Sequence, residues 1–361
     1  MMIEYENLAK LNKPFFEEFE RAFQGVLHSG WFILGENVKK FEAEFANYIQ
    51  TNYCIGVASG LDALELAIQV LDLDKGSEII VPSNTYIATI LAILNNGHIP
   101  VLVEPDFNTY NIDPNNIIPA ITSKTKAVLV VHLYGKSCDM DPIIEICNAN
   151  KLFLIEDCAQ SHGATYKGKK TGSFGDLAAF SFYPTKNLGC LGDGGAITTN
   201  NTEYYEKINM LRNYGTNKKY NNQYIGTNSR LDEVQAAFLN IKLKALDEIN
   251  NHKRELASIY LKNLKSDYKL PIEGIGFFDV YHIFNILHNE RENVRDFLLK
   301  NAIKTEVHYP IPPHKQKALS FLSHLKFPVS ENIHHSTISL PISSFHSSND
   351  IYRVVETLNK F

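Results

Sequence analysis

Short apolar runs that alternate with helical stretches constrain the fold of this chain more than any other feature of its sequence. Between about residues 54 and 200 the runs lie at 79–82, 101–103, 127–131 and 152–155, and helical patterns at 86–95 and 142–150 lie between them. Because the runs are apolar without alternation, we expect strands that are buried on both faces, as in a mainly parallel sheet sandwiched by helices. Ligands of such α/β sheets bind beyond the carboxyl ends of the strands.

The length of the chain and a long helical pattern predict two domains. At roughly 100 to 200 residues per domain, 361 residues are too many for a small binding module. The pattern at 231–264 marks the boundary, and after it come a strand candidate at 280–287, a helical run at 291–301 and a loop rich in Pro and His at 307–316. We predict a large α/β domain over residues 1–240 and a smaller C-terminal α+β domain over residues 241–361.

Charge and hydropathy argue against several classes of protein. The formal charge of −5 leaves no positive excess for nucleic-acid phosphates, so no nucleic-acid partner is expected. The first residues are acidic where a secretory signal is basic, and no apolar run approaches the roughly 20 residues that cross a bilayer. We therefore expect a cytoplasmic protein with no membrane partner. The five cysteines lack metal-site spacing and are expected to be reduced, most of them buried, so no metal is predicted.

A lysine and an acidic strand end supply the chemistry. Lys186 follows the aromatic run 180–183, and Asp157 ends the apolar strand candidate before it. Pyridoxal 5'-phosphate (PLP) needs a lysine amine for its aldehyde and a carboxylate to keep its ring nitrogen protonated. Partial desolvation would lower the pKa of Lys186 and favour the nucleophilic amine. The pair predicts a PLP enzyme, although a lone lysine is usually solvated and a carboxylate at a strand end usually forms a turn.

Other residues complete this prediction. Gly60 opens a helix where backbone amides could approach a phosphate, and Ser181 offers a second donor near the lysine. The aromatic ring of Tyr86 could lie on a planar heterocycle, with core packing as the equal alternative. Gln160 follows closely behind Asp157. The glycine-rich run 189–195 is no dinucleotide fingerprint, because a strand pattern and not a helix follows it.

Taken together, these motifs resemble the DegT/DnrJ/EryC1/StrS family of PLP-dependent nucleotide-sugar aminotransferases, within the fold type I (aspartate aminotransferase-like) superfamily. The resemblance spans nearly the whole chain and is carried by Ser29–Gly35, Gly56–Leu64, Val131–Gly135, Ile155–Ala164, the lysine motif Ser181–Gly189, Asn228–Ala237 and His308–Pro310.

The resemblance implies a role for each matching residue. Lys186 would bond the cofactor aldehyde, Asp157 would pair with the ring nitrogen, Tyr86 would stack on the ring and Gln160 would lie on its phenolic side. The phosphate would be held by Gly60, Leu61, Ser181 and, from the other subunit, Asn228, so the resemblance also implies a homodimer with shared active sites. Leu61 departs from the threonine of many relatives and leaves only a backbone amide there.

The resemblance further implies transamination of a nucleotide-linked keto-deoxysugar. The chain is most similar to enzymes that use L-glutamate to aminate C3 of dTDP-3-keto-6-deoxyhexoses for surface glycans, and amination at C4 is the main alternative. The residues proposed for the sugar are Tyr183, His308, Tyr309 and Lys219, with Lys218 beside it, although packing or solvation are the commoner roles of such residues. Two other functions are less well supported. A PLP-binding regulatory protein is disfavoured because the chain has Lys186, and a metallohydrolase is disfavoured because the chain has no metal-ligand motif.

Overall fold

A mixed sheet of seven strands organises the larger part of the chain. The computed structural model describes residues 2–361, and its large sheet has the strand order β1-β9-β8-β5-β4-β2-β3. All neighbouring strands are parallel except at β9, which runs antiparallel to both β1 and β8. The predicted mainly parallel sheet is therefore confirmed. Its strands are β1 (Tyr53–Val57), β2 (Glu78–Pro82), β3 (Ile99–Val103), β4 (Thr125–Val131), β5 (Phe153–Asp157), β8 (Leu177–Ser181) and β9 (Gly195–Thr199).

The smaller sheets lie outside this layer. The short strands β6 (Thr165–Tyr166) and β7 (Lys169–Lys170) pair with β12 (Phe277–Phe278), and a hairpin is formed by β10 (Thr216–Lys218) and β11 (Asn221–Asn222). In the C-terminal part, β13 (Phe284–Leu287) pairs antiparallel with β14 (Thr337–Leu340). The predicted strand at 280–287 is thus shorter than expected, because only its last four residues pair.

Helices cover both faces of the large sheet, as predicted. The α-helices are α1 (Leu8–Asn12), α2 (Phe16–Ser29), α3 (Glu36–Ile49), α4 (Gly60–Gln69), α5 (Ile87–Asn95), α6 (Pro114–Ile117), α7 (Met140–Asn150), α8 (Thr202–Leu211), α9 (Glu233–Asn263), α10 (Arg291–Lys300), α11 (Pro328–Ser336) and α12 (Ser348–Leu358). Successive residues of one strand enter different cores: Ile79 and Val81 pack with α4 and α5, whereas Ile80 packs with the cluster that contains α7. This burial on two faces explains the continuous apolar runs.

Helix α9 joins two packing units. Leu239 and Leu246 lie in a core with α3, whereas Leu256 and Tyr260 lie in a second core with β13, β14 and α12. The predicted division at residue 240 falls inside this helix, so the domain boundaries remain a prediction. The N-terminal Ile3 also packs into the second core.

Two further features bear on the expectations from sequence. All five cysteines are free and buried. Among residues 2–361, no helix is both long and apolar enough to cross a membrane.

Candidate active site

A cavity of about 560 Å³ opens at the carboxyl ends of the parallel strands. It lies where β4, β5 and β8 end, and α4 and α5 begin beside it. Ten of the predicted site residues line it: Gly60, Leu61, Tyr86, Asp157, Gln160, Ser181, Tyr183, Lys186, His308 and Tyr309. The sheet therefore gathers residues that lie far apart in sequence around one opening.

Asp157 is the last residue of β5 and is buried with both carboxylate oxygens engaged. Its Oδ2 accepts a hydrogen bond from Thr89 Oγ1 at 2.9 Å, and its Oδ1 accepts one from the backbone N–H of Ala159 at 3.1 Å. Burial raises the pKa of Asp157, and the bonds from Ala159 and Thr89 together with the charge of Lys186 oppose this rise. A carboxylate so placed would gain from a cationic partner inside the cavity.

Lys186 lies in a turn just after β8. The backbone N–H of Lys186 donates to Tyr183 O at 2.8 Å, and the turn closes tightly at Gly189, where a Cβ would come within 2.4 Å of Pro184 O. The side chain is half-buried, and its Nζ lies 3.5 Å from His282 Nε2. Burial lowers the pKa of Lys186 to about 8, against the opposing charge of Asp157. Roughly a tenth of the amine is therefore neutral and nucleophilic at pH 7, far more than for an ordinary lysine.

The start of α4 forms a cradle with few side-chain atoms. The Ser59 hydroxyl accepts a hydrogen bond from the backbone N–H of Asp62 at 3.1 Å and so caps the helix. A Cβ on Gly60 would lie 2.5 Å from Ser181 Cβ, so only glycine lets the backbone approach Ser181 this closely. The cradle combines a helix N-terminus with a hydroxyl, which is the donor set that suits a phosphate.

Aromatic rings and an amide form the opposite wall. Tyr86 immediately precedes α5, is 52% exposed and has its ring centroid 5.0 Å from that of Tyr309. Gln160 Nε2 donates to Tyr309 Oη at 2.9 Å, and Gln160 Oε1 accepts the backbone N–H of Tyr134 at 2.6 Å. Because one face of Tyr86 stays accessible, a planar ring could stack on it.

Histidines around the cavity are held neutral. Burial and the nearby charge of Lys186 lower the pKa of His162 to about 3 and that of His308 to about 4, and they hold the pKa of His282 well below its ordinary value. His308 Nδ1 also lies 2.8 Å from Ser339 Oγ. These rings can therefore accept or donate hydrogen bonds without adding charge.

Two predicted residues do not reach this cavity within one chain. Lys219 is exposed, with its Nζ 5.2 Å from the ring of Tyr220, and Asn228 is exposed and pairs with Asn213 through a backbone bridge. Neither lines the cavity. The role predicted for Asn228 requires a second subunit, so it stays a prediction, and the same applies to Lys219.

Sequence reasoning missed two residues of the site. Thr89 donates to Asp157, and its Oγ1 is 2.7 Å from that of Thr85, four residues earlier in the chain. Thr85 lies two residues before α5 and Thr89 lies in its first turn, so their contact depends on how the chain enters the helix and not on helical spacing. His282 contacts Lys186 from the segment before β13, and nothing local in the sequence indicated this.

A buried polar network lies behind Asp157. Glu156 accepts backbone N–H groups from Gly172, Phe174 and Gly175 and lies 3.0 Å from His132 Nε2. Burial alone would raise the pKa of Glu156, but the bonds from His132 and the backbone lower it. His132, Glu156 and Cys158 together are close enough for metal ligands, yet the hydrogen bonds already occupy the imidazole and the carboxylate.

Comparisons with known proteins agree with this geometry. Residues 15–359 match the model of the DegT/DnrJ/EryC1/StrS aminotransferase family. The chain is 54% identical to a dTDP-3-amino-3,6-dideoxy-alpha-D-galactopyranose transaminase from Aneurinibacillus thermoaerophilus, over 100% of this chain and 99% of that protein.

Solved structures give the same result. DesV from S. venezuelae, in complex with a ketimine intermediate, is 40% identical with a TM-score of 0.97, covering 99% of this chain and 98% of that one. NtdA from Bacillus subtilis, with bound cofactor PMP, is 32% identical with a TM-score of 0.93, covering 99% and 84%. The predicted family, fold and enzyme class are confirmed: the chain belongs to the DegT/DnrJ/EryC1/StrS aminotransferase family.

Proposed function

We propose that this protein is a PLP-dependent aminotransferase that converts a dTDP-3-keto-6-deoxyhexose to the corresponding dTDP-3-amino-3,6-dideoxyhexose, with L-glutamate as amino donor. The observation that carries the proposal is the convergence of Lys186, Asp157 and the Gly60 cradle on one cavity. Full-length similarity to a transaminase named for a dTDP-3-amino-3,6-dideoxyhexose supports the choice of substrate.

The residues around the cavity fit PLP. Asp157 would hold the ring nitrogen, the ring of Tyr86 would cover one face, and Gly60, Leu61 and Ser181 would bind the phosphate. The space that a Cβ on Gly60 would fill is what a phosphate cradle needs. When bound, PLP supplies an aldehyde for an amine and a ring that accepts electrons.

The protein's own part in the reaction is centred on Lys186. Its amine would hold the cofactor by its aldehyde, and the free amine would serve as the acid and base that moves a proton at the substrate carbon. A pKa of about 8 leaves part of the free amine neutral and able to accept that proton. Asp157, buried and held by Thr89, would favour a positive charge on the ring nitrogen of a bound cofactor.

The sugar would bind toward the cavity opening. Tyr183 is 53% exposed there, and His308 and Tyr309 contribute an imidazole and a hydroxyl from the C-terminal part of the chain. Such groups donate and accept hydrogen bonds, as a ring with hydroxyl and keto groups requires. Because His308 is neutral, it can recognise either kind of group.

The active sites are proposed to be shared across a homodimer. Lys219 and Asn228 lie on an exposed segment whose apolar side chains are unusually open, with Tyr220 89% and Ile225 93% exposed. Exposed large apolar groups are expected where another surface packs. In a second subunit, Asn228 would reach the phosphate and Lys219 the nucleotide-sugar.

Steady-state kinetics with purified enzyme and matched 3-keto and 4-keto dTDP-sugars test the substrate. We expect kcat/KM to be higher for the 3-keto sugar with L-glutamate. A preference for the 4-keto sugar would replace this proposal with a C4 aminotransferase, since the same cofactor apparatus serves either carbon and only the sugar's orientation differs.

The cellular role proposed is cytoplasmic synthesis of amino sugars for surface glycans. Deletion of the gene is expected to remove the 3-amino-3,6-dideoxyhexose from glycans while the 3-keto nucleotide sugar accumulates in cell extracts. Unchanged glycans together with no accumulated precursor would contradict this role.

A further inference from the structure

His282 contacts Lys186 but has no role in the transamination chemistry proposed above. Its Nε2 lies 3.5 Å from Lys186 Nζ, and its ring lines the cavity. Its Nδ1 is fully buried and has no hydrogen-bond partner among residues 2–361. A buried nitrogen without a partner is costly, and it leaves Nε2 as the ring nitrogen through which His282 contacts another polar group.

The backbone around His282 is fixed to the backbone around Lys186. Buried Lys253, on α9, donates to the carbonyl oxygen of His282 at 3.1 Å and to Asn187 Oδ1 at 3.0 Å. Asn187 Nδ2 in turn donates to Val280 O at 3.0 Å. These bonds connect Asn187, the residue after Lys186, to the segment that carries His282. They therefore fix the position of the imidazole relative to the amine.

The charges around this pair keep the imidazole neutral. Lys186 is faced by Asp157 from β5, by the rings of His162, His282 and His308, and by Lys253 from α9. Glu6 and Lys242 lie beyond Lys253. Burial and the two neighbouring lysines disfavour a charged His282. In the tautomer with its proton on Nδ1, a neutral ring accepts an N–H from the amine at Nε2 and does not compete with the amine for a proton.

We propose that His282 is a positioning residue for Lys186. Its Nε2 accepts one N–H of the free amine and so directs the amine's lone pair toward the reacting carbon, and Lys253 holds the two residues together. This proposal rests on the catalytic role of Lys186 in the proposed function. It predicts that a hydrogen-bond acceptor at position 282 affects the Lys186 amine more than the shape of the imidazole ring does.

Labelling of the cofactor-free protein tests the contact independently of activity. Competitive acetylation with acetic anhydride across pH, quantified by mass spectrometry of the peptide that contains Lys186, gives the pKa of its amine. His282→Leu removes the acceptor, and His282→Gln places an amide oxygen near the position of Nε2. We expect the labelling midpoint to fall in His282→Leu, because the ammonium loses an acceptor, and to stay near the wild-type value in His282→Gln.

Kinetics of the PLP-loaded enzyme give the second readout. In His282→Leu we expect kcat to fall by about tenfold to a hundredfold, with little change in the KM of either substrate and a shifted pH profile of kcat. His282→Gln should recover most of the rate. His98→Leu is the matched control, because His98 is also buried with an unpartnered Nδ1 but lies just before β3, away from the cavity.

The outcomes separate this inference from the proposed function. A labelling midpoint for Lys186 that is the same in wild type and His282→Leu would overturn the positioning role. Equal loss of rate in the Leu and Gln variants, with circular dichroism unchanged, would also overturn it, because the ring's shape would then matter instead. If the wild type turns over neither keto sugar but the midpoint still shifts in His282→Leu, the proposed substrate fails and the contact stands.

Discussion

The floor and the rim of the active-site cavity are built in different ways. The floor consists of Asp157, Lys186, Ser181, Gly60 and Thr89, which lie at strand ends and helix starts of one chain. We use rim for the segment from Asn213 to Asn228, which we propose completes the cavity of a second subunit; it carries Lys219 and is largely exposed. Floor side chains are hydrogen-bonded to their own chain, whereas the predicted ligands on the rim contact no part of the cavity.

In the proposed homodimer, this difference separates what one subunit can do from what needs two. The floor has its charges and its donors in place within a single fold, which suits chemistry shared by a whole enzyme family. The rim has exposed apolar side chains, which suit contact with a second subunit, and basic side chains, which suit a nucleotide-sugar. Substitutions in the floor should therefore change rates, and substitutions in the rim should change binding.

The largest loss of kcat is expected from Lys186→Ala. The variant loses both the group that bonds the cofactor and the group that moves the proton, so kcat should fall by at least about a thousandfold. Single-turnover kinetics with L-glutamate measure the loss. The exposed Lys124→Ala variant, in a turn remote from the cavity, should retain wild-type rates. Substantial turnover by Lys186→Ala would show that the floor does not contain the reacting amine.

Asp157→Asn is expected to have the next largest effect. The amide keeps the shape of the side chain and removes the negative charge, so kcat should fall by about 100-fold to 1000-fold. The visible spectrum and kcat of the PLP-loaded variant measure the loss. A variant with normal kcat would contradict the proposed pairing with the ring nitrogen.

Mixed dimers test whether the rim serves the other subunit. Lys186→Ala and Asn228→Asp chains are each expected to be weakly active. If sites are shared, a mixed dimer has one intact site, so random pairing should restore about a quarter of wild-type activity. Size-exclusion chromatography and activity after mixing unfolded chains and refolding them together provide the measurement. No recovery in dimers shown to be mixed would place Asn228 and Lys186 in the same subunit's site or in none.

Thr89→Val should have a smaller effect on the floor. The substitution removes one hydrogen bond to the Asp157 carboxylate and keeps the volume of the side chain, so kcat should fall by about tenfold. The KM for the sugar should be unchanged. A variant in which only KM rises would assign Thr89 to substrate binding and not to Asp157.

The smallest expected effect is the dependence of the free energy of unfolding on pH. His162 is buried against Phe180 and Phe182, and its pKa is lowered from 6.5 to about 3. In the unfolded chain His162 takes up a proton near pH 6.5, whereas in the folded chain it stays neutral. Its contribution to the free energy of unfolding is therefore fully present above pH 6.5 and is lost as the pH falls toward 3. Between pH 6.5 and 5.5 the loss should be about 1 kcal/mol for this residue.

Urea unfolding of wild type and His162→Phe at these two pH values measures that difference. The variant should lose less stability on acidification, because the aromatic ring that replaces the imidazole takes up no proton. Equal pH dependence in the two proteins would show that His162 is not held neutral by its surroundings.

Much of the floor was predictable because its residues occupy defined places in a repeating pattern. A buried apolar strand must end near Asp157, and parallel strands must bring their carboxyl ends to one edge, which also receives Lys186 and Ser181. Local sequence also indicated Gly60, Tyr86 and Gln160, and the family motifs then added Leu61. Helix boundaries were predicted to within a few residues for α9 and α10.

Other features depended on contacts between distant segments. His282 reaches Lys186 across 96 positions, and no periodic pattern encodes such a contact. The strand at 280–287 was too long in the prediction because apolar composition alone does not show where pairing with β14 begins. The role proposed for the rim comes only from family resemblance, since its ligands would act outside their own chain.

The absorption spectrum of the purified protein tests the central claim most directly. After loading with PLP and gel filtration, the wild type should show the long-wavelength band of lysine-bound cofactor, and L-glutamate should convert it to the band of pyridoxamine phosphate. Lys186→Ala should lack the first band. A wild type without that band, or an equal band in Lys186→Ala, would contradict a floor centred on Lys186, and a wild-type band that L-glutamate leaves unchanged would contradict the proposed amino donor.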